Sequence, residues 1–215
     1  GCNLESSESR LDWLQQRLDL DDAGLRKMVL ALPALLGYSV EDNMAPKLDW
    51  LQDRLDLGAA QLNKMVLRLP AVLSYSVEEN LAPTLDWLQT RFDLDAAQLK
   101  RVVLGYPQLL SLSIEDNMEP TLEWLQTRLD LDATQLRKMV LTLPGLLGYS
   151  VEAKLEPKLH WLQTRLDLDG EQLRKVAGCV SVLSTSIDIL ESKLEWLQTR
   201  LDLDDAGLRK VVVAF

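Results

Sequence analysis

Residues Ser39 to Tyr75 read S-V-E-D-N-M-A-P-K-L-D-W-L-Q-D-R-L-D-L-G-A-A-Q-L-N-K-M-V-L-R-L-P-A-V-L-S-Y, and variants of this stretch fill most of the 215-residue chain. The tryptophan in its middle recurs at intervals of 37, 37, 37, 37 and 35 residues. Its six positions are Trp13, Trp50, Trp87, Trp124, Trp161 and Trp196. A constant period of this length is typical of stacked supersecondary units rather than of one globular core.

Each period contains two helix-start signals and one stop signal. Ser39 has Asp42 three residues on, and Asp95 has Gln98 at the same spacing, which is the form of a capping box. A proline such as Pro70 disfavours α conformation in the preceding residue, so it ends the second helix and leads into a P-x-L-L turn, predicted to be 3₁₀. The sequence therefore predicts an all-α solenoid of stacked, roughly 37-residue helix-helix-3₁₀ repeats.

Both predicted helices carry an apolar stripe at helical spacing. The stripe of the first helix is Met44, Leu48, Leu51 and Leu55, and that of the second is Leu62, Met65, Val66 and Leu69. These stripes are predicted to form the core. Pro46 falls inside the first helix, where it predicts either a kink or a new helix start with Pro46 in the first turn. We favour the kink.

We predict one repeat array over residues 1–215. Repeat 1 is a partial unit over 1–38, repeats 2 to 5 cover 39–75, 76–112, 113–149 and 150–185, and repeat 6 is a truncated unit over 186–215. The unit after Trp161, which reads V-A-G-C-V-S-V-L-S-T-S, is two residues short and lacks both prolines. This leaves its capping serine, expected at Ser186, and its kink uncertain. The last residues of repeat 6 form an uncapped apolar segment, and Val211, Val212, Val213 and Phe215 are a candidate end-docking surface.

Composition limits the function classes. The net charge is −10 and the estimated pI is 4.7, so the average field repels phosphate. No stretch approaches the ~18 apolar residues of a membrane span, so we expect a soluble protein or one peripheral to a membrane complex. Cys2 and Cys179 suggest no disulfide framework and favour a reducing compartment. The chain begins at Gly1, which indicates either a removed targeting peptide or an excerpt.

The ordered set P-x-L-L-x-Y-S-V-E-x-N-L-x-P-K-L-x-W-L, seen around Pro33 to Leu51 and Pro70 to Leu88, closely resembles the repeat of the mitochondrial transcription termination factor family, mTERF. The resemblance covers nearly the whole chain. It implies stacked units of two α-helices and one 3₁₀ helix curving into a half-ring, and a role in mitochondria or chloroplasts. Family members typically bind DNA or RNA along a basic path. This chain departs from them because it is acidic.

One column of basic residues is a candidate phosphate-binding or partner-binding surface. It has one member per repeat on the second helix: Lys27, Lys64, Arg101, Lys138, Lys175 and Lys210. A ladder of cations can follow a phosphate backbone. The alternative, which we favour, is a solvated helix face neutralised by neighbouring carboxylates.

The tryptophans lie on the flank of the first helix, where packing between repeats is favoured over stacking on nucleic-acid bases. Arginines one helical turn further on are expected to lie against the rings. These are Arg54, Arg91, Arg128, Arg165 and Arg200. The only histidine, His160, occupies a surface slot filled by acids in other repeats, so we predict no catalytic, metal or cofactor site.

Two functions remain. The favoured one is a non-catalytic scaffold that docks as a peripheral subunit on a large organellar assembly, photosynthetic or respiratory, in a chloroplast or mitochondrion. Net acidity and open apolar ends motivate it. The alternative is an organellar transcription or RNA-processing factor that binds DNA or RNA through the basic column.

Overall fold

The computed structural model describes residues 4–214, with side chains from Ser7 onward. Cys2 and Phe215 lie outside this range. Thirteen α-helices occur within it: α1 Leu4–Leu18, α2 Asp22–Ala31, α3 Ala45–Arg54, α4 Ala59–Arg68, α5 Ala82–Arg91, α6 Ala96–Gly105, α7 Glu119–Leu129, α8 Ala133–Thr142, α9 Glu156–Leu166, α10 Gly170–Gly178, α11 Val180–Ser184, α12 Ile187–Leu201 and α13 Asp205–Ala214. Residues 4–214 contain no strand, which confirms the all-α prediction. None of the described helices has the length and apolar character to cross a membrane.

Short helical turns link these helices. Four 3₁₀ turns cover Pro33–Gly37, Pro70–Ser74, Pro107–Ser111 and Pro144–Gly148. Each begins at the proline that was predicted to stop the second helix, because proline cannot donate the next α-helical hydrogen bond. Four π-helical turns cover Val40–Met44, Val77–Leu81, Ile114–Met118 and Val151–Leu155. Each π turn leads directly into the first α-helix of its repeat.

Hydroxyl and carboxylate caps set the helix starts where the sequence predicts them. The Oγ atoms of Ser39, Ser76, Ser113 and Ser150 accept a backbone N–H from three residues on at 3.0–3.1 Å. Asp95, Asp132 and Asp169 each form a complete capping box with the glutamine three residues later. These bonds satisfy N–H groups that a helix start leaves without an intrahelical partner.

The first helix opens with π-helical rather than α-helical bonding, and the expected kink at Pro46 stays a prediction. The Met44 N–H donates to the Ser39 carbonyl at 3.0 Å, which is π-helical i to i−5 bonding. α3 then begins at Ala45 with Pro46 in its first turn, close to the alternative we weighed. The π turn is wider than an α turn, so the Pro46 ring has room beside the preceding carbonyls. Pro46 has no N–H to donate, and this matters least in the first turn of a helix, where N–H groups have no intrahelical acceptor.

The end of repeat 5 and the start of repeat 6 fold differently because both prolines are missing there. α11 takes the place of the 3₁₀ turn, and α12 runs for 15 residues as one α-helix without a π turn. Ser186 occupies the N-cap position, as expected, but its side chain makes no capping hydrogen bond.

The L-D-L motif ends each first helix through a left-handed aspartate. Residues Asp19, Asp56, Asp93, Asp130, Asp167 and Asp202 have φ between 47° and 51°. The leucine after each aspartate donates its N–H back to the helix, as Leu57 does to the Gln52 carbonyl at 2.8 Å. This is the Schellman arrangement, in which the residue after the left-handed position also makes an apolar contact. Leu57 and Leu94 are accordingly buried.

The core consists of the predicted stripes. All eight stripe residues of repeat 2, from Met44 to Leu69, are buried. The chain divides into two compact units, an N-terminal unit that ends at Ser111 and a C-terminal unit that begins at Leu112. In each unit, helices of successive repeats pack side by side, as α1 does with α4 and α7 does with α10.

Ser76→Ala is expected to lower the free energy of unfolding by about 1 kcal/mol, because Glu79 loses the acceptor of its backbone N–H. Thermal or urea unfolding followed by circular dichroism measures this. Ser74→Ala is the control, since Ser74 is exposed and caps no α-helix. Equal effects of the two substitutions would contradict the capping role of Ser76.

Candidate binding surfaces

The basic column projects from the second helices into solvent. In the N-terminal unit Lys27, Lys64 and Arg101 are exposed on α2, α4 and α6. In the C-terminal unit Lys138, Lys175 and Lys210 are exposed on α8, α10 and α13. None of the six forms an ion pair within residues 7–214. Neighbouring carboxylates therefore do not neutralise the column through direct contacts, and its use as a binding surface stays a prediction.

In four repeats the residue before the column residue has a structural role that the sequence reasoning missed. Asn63 donates to the carbonyl oxygens of Leu18 and Asp19, where the first helix of repeat 1 ends. Lys100 Nζ likewise donates to the backbone carbonyl and to the carboxylate of Asp56. A helix C-terminus carries unsatisfied carbonyls and partial negative charge, so it favours such donors. These side chains tie each second helix to the preceding repeat.

The same tie occurs in the C-terminal unit. Arg174 contacts the carboxylate of the left-handed Asp130 at 2.8 Å, and Arg209 contacts that of Asp167 at 2.8 Å. All four donors are half-buried, whereas the column residues next to them are exposed. Adjacent basic residues in the sequence therefore have different roles, one between repeats and one in solvent.

The arginines one turn after the tryptophans also join successive repeats. Arg17 donates to Asp49 at 2.6 Å and to Gln52 at 3.0 Å. Arg54 repeats this arrangement with Asp86 at 2.7 Å and Gln89 at 2.9 Å. In the C-terminal unit Arg128 and Arg165 contact Gln163 and Gln198. Carboxylates and amides of the following repeat orient these guanidinium groups, rather than the tryptophan rings that we expected.

The tryptophans lie at the junctions between repeats. Trp50 is half-buried and borders a cleft of about 370 Å³, together with Tyr75 at the end of its own repeat and Val77 at the start of the next one. Trp87 contacts Phe92 edge to face, with ring centroids 5.9 Å apart. Trp13, Trp124 and Trp161 are half-buried in the same way. This placement agrees with packing between repeats and leaves little ring surface for stacking on bases.

A third series of polar side chains satisfies carbonyls inside the repeats. Lys47 is buried and its Nζ donates to the Leu73 carbonyl at 2.6 Å, at the end of a 3₁₀ turn. Lys158 does the same for the Leu183 carbonyl at 2.6 Å. Burial lowers the pKa of both lysines below the ordinary value of 10.5. Glu78 partly opposes this shift of the pKa at Lys47, and Lys154 adds to it at Lys158.

Neither the histidine nor the aspartate-rich start of repeat 1 belongs to a metal-binding cluster among the described residues. His160 is exposed, as predicted. Residues 7–214 contain no group of three or more histidine, cysteine or acidic side chains that could hold a metal ion. Asp21, which lies in the aspartate-rich start of repeat 1, caps α2 by accepting the Gly24 N–H at 2.7 Å.

One groove brings two column residues together. It has a volume of about 760 Å³ in the C-terminal unit, and Lys138 and Lys175 line it beside Met139 and the exposed Cys179. The groove lies against α11, which stands at the end of repeat 5 in place of a 3₁₀ turn.

The exposed apolar surface of repeat 6 differs from the predicted end-docking surface. Val211, Val212 and Val213 are half-buried, and Phe215 lies outside the described residues. The exposed large side chains are Ile189, Trp196 and Leu201, at 52%, 62% and 53%. In repeat 1, Leu30 is 71% exposed.

The family profile of mTERF matches residues 16–188, which is most of the chain. The protein belongs to the mTERF family. This confirms the resemblance carried by the proline, serine and tryptophan positions. mTERF proteins are helical-repeat binding proteins that generally act in organelles and are generally not enzymes. A comparison with curated proteins finds no significant match.

Lys47→Met is expected to lower the free energy of unfolding by about 1–3 kcal/mol, because the buried Leu73 carbonyl loses its donor. Chemical denaturation measures this. Lys64→Met is the matched control, because Lys64 is exposed on the second helix of the same repeat. Its replacement should change the free energy of unfolding by no more than about 0.5 kcal/mol.

The pH dependence of the free energy of unfolding gives a second test of Lys47→Met. Because burial lowers the pKa of Lys47 in the folded chain, the unfolded chain binds the proton more tightly. Unfolding free energy should therefore rise as the pH increases from the folded-state pKa toward 10.5. This rise should be smaller in Lys47→Met than in the wild type. An unchanged pH profile together with unchanged stability would show that Lys47 is not buried as described.

Proposed function

We propose that this mTERF-family protein is a non-catalytic scaffold that docks through its acidic side on a large organellar protein assembly, photosynthetic or respiratory. One observation carries the proposal. Most described arginines bind groups of the chain itself, while the carboxylates at the start of the first helix in repeats 2 to 5 stay exposed. A surface of this kind is complementary to a basic protein surface and repels phosphate.

The cations that join successive repeats are bound to other groups of the chain. Arg17, Arg54, Lys100, Arg174 and Arg209 tie successive repeats together. Arg68 donates to the carbonyls of Leu104 and Gly105, and Arg10 to that of Leu36. A guanidinium held in this way is unavailable for a phosphate contact. The number of cations free for nucleic acid is therefore much smaller than the composition suggests.

The exposed carboxylates form an acidic row beside the serine caps. The row consists of Glu41, Asp42, Glu78, Glu79, Glu115, Asp116 and Glu152. All seven lie in the first turn of a helix, where the helix dipole favours negative charge. The fold thus stabilises an acidic edge within each compact unit. A partner with lysines or arginines at a matching spacing would be steered to this edge.

The test of the scaffold proposal is native purification of a tagged protein from the organelle, with quantification of what copurifies. Replacing Glu41, Glu78 and Glu79 with glutamine is expected to reduce a stable protein partner severalfold. The matched control neutralises three exposed acids outside the row, by Asp53→Asn, Glu123→Gln and Glu195→Gln. Equal recovery with both triple variants would contradict docking through the acidic row. Tight binding of organellar nucleic acid at physiological salt without a protein partner would contradict the scaffold itself.

A second candidate function is nucleic-acid binding through the basic column. Its specific support is the exposure of all six column residues without ion pairs, in a family whose members bind nucleic acid. If the column contacts phosphates, the affinity falls steeply with salt. Reversing the charge of Lys64, Arg101 and Lys138 should then make the slope of log K against log salt shallower by about 2–3.

Fluorescence anisotropy with labelled single-stranded and duplex DNA and RNA measures this slope. Arg26, Lys193 and Arg200 are also exposed and serve as the matched control set for charge reversal. Weak binding that does not depend on salt in the wild-type protein would exclude this candidate.

A further inference from the structure

A leucine joins the second helix of repeat 2 to that of repeat 1. A Cβ at Gly24 on α2 would come within 3.6 Å of the Leu67 Cδ2 atom, so Leu67 on α4 packs directly over this glycine. Repeats 1, 3 and 4 also carry leucine at the position of Leu67, as Leu30, Leu104 and Leu141. In repeat 2 this side chain fills the space between two successive second helices.

Repeat 5 has no side chain at this position. Gly178 follows Leu141 by 37 residues and stands where the four preceding repeats carry leucine. A Cβ at Gly178 would meet no atom within 4 Å. The groove of about 760 Å³ lies at this place, with Gly178 in its lining, between α8 of repeat 4 and α10 of repeat 5. Both helices belong to the C-terminal unit. The groove is therefore open where an apolar side chain is missing.

Part of the groove lining is apolar. Leu131 and Met139 are buried beside it, and Val180 at the start of α11 is half-buried. The flexible thioether of Met139 can adapt to the shape of the side chain that it meets. None of the described lining residues is aromatic, so a nucleic-acid base finds no ring on which to stack. An aliphatic or phenyl side chain therefore matches this lining better than a base does.

The rim of the groove carries two free cations. Lys138 comes from α8 and Lys175 from α10, so they stand on opposite walls. Both are exposed, and neither forms an ion pair within residues 7–214. Arg174 also lines the groove, but Asp130 neutralises it at 2.8 Å. Glu171 is the carboxylate in the lining. Two unpaired lysines thus outweigh one acid here, in a chain whose net charge is −10.

We propose that this groove is a docking site for a segment of a partner protein in which one apolar side chain is flanked by carboxylates. The apolar side chain enters beside Met139 and Gly178 and takes the role that Leu67 has in repeat 2. The carboxylates meet Lys138 on one wall and Lys175 on the other. The exposed rim leaves the groove open to solvent, so a helical or extended segment can enter it.

This docking site goes beyond the acidic row and does not depend on it. The acidic row lies at the start of the first helices and suits a basic surface. The groove lies between second helices and suits an acidic segment. The two sites therefore select partners, or parts of one partner, of opposite charge.

Selection from a random peptide library displayed on phage tests the proposal. The wild-type protein is the bait, and peptides that also bind Gly178→Leu are removed beforehand. This variant restores the leucine of the other repeats, and the space around a Cβ at Gly178 is open. The recovered peptides should share one leucine, methionine or phenylalanine with aspartate or glutamate on both sides. Recovery of no peptide, or of peptides without these acids, would overturn the proposal.

Fluorescence anisotropy with a labelled peptide from this selection measures the contribution of each part of the groove. Gly178→Leu should weaken binding at least about tenfold, because it fills the anchor position. Gly178→Ala is the matched control and should leave the affinity nearly unchanged, since its methyl group meets only open space. Circular dichroism checks that both variants fold. Equal affinities of the two variants would contradict the anchor position.

Charge reversal tests the rim separately. Lys138→Glu and Lys175→Glu should each weaken peptide binding at least about tenfold, because each places like charges together. Lys64→Glu is the control, since Lys64 is an exposed column residue of the N-terminal unit and should not affect the peptide. Peptide binding that is insensitive to reversal at Lys138 and Lys175 would overturn the proposal.

Two measurements separate this result from the other candidate functions. Gly178→Leu keeps all six column residues, so it should leave the affinity for labelled DNA and RNA unchanged. Loss of nucleic-acid and peptide binding together would assign the groove to nucleic acid and overturn the proposal. Replacing Glu41, Glu78 and Glu79 with glutamine should not change peptide affinity, so failure of one docking site is distinguishable from failure of the other.

Discussion

The tie between the end of one first helix and the second helix of the next repeat is the interaction on which the stack depends. The left-handed aspartate ends the helix sharply and exposes its last carbonyls to the following repeat. A donor from that repeat then binds them. Asn63 fills this role without a charge, whereas Lys100 fills it with one. The position therefore requires a hydrogen-bond donor rather than a cation, and this is why the fold tolerates an acidic composition.

Local rules account for the parts of the fold that the sequence predicts. Ser39 and Asp95 signal caps through residues three positions away, and Pro70 stops a helix through its own ring. These signals need no tertiary information. The stripes were equally readable, since helical spacing alone places Leu48 and Leu51 on one face. The 37-residue period then extends the prediction for one repeat to the whole chain.

The missed features all depend on partners more than twenty residues away or on small differences in backbone bonding. An α turn and a π turn before Pro46 differ only in that each N–H bonds to a carbonyl one residue further back in the π turn. Sequence preference does not distinguish the two. Arg54 could stack on a ring or reach Asp86, and only the packed junction decides between them. Asp56 and Asp95 look alike in the sequence but have different backbone conformations. Tertiary packing, rather than propensity, separates these cases.

The cations of this chain can join repeats or bind an anionic ligand, and these two roles compete. Each cation placed between repeats strengthens the stack by satisfying carbonyls or carboxylates, and the same cation is lost to any anionic ligand. Arg174 and Lys175 show the division within two consecutive residues, because one is tied to Asp130 and the other is exposed. An mTERF repeat can therefore be held together identically whether its exposed column is basic or surrounded by acids. Substitutions at the exposed positions alone can then change the surface charge while the family fold is retained.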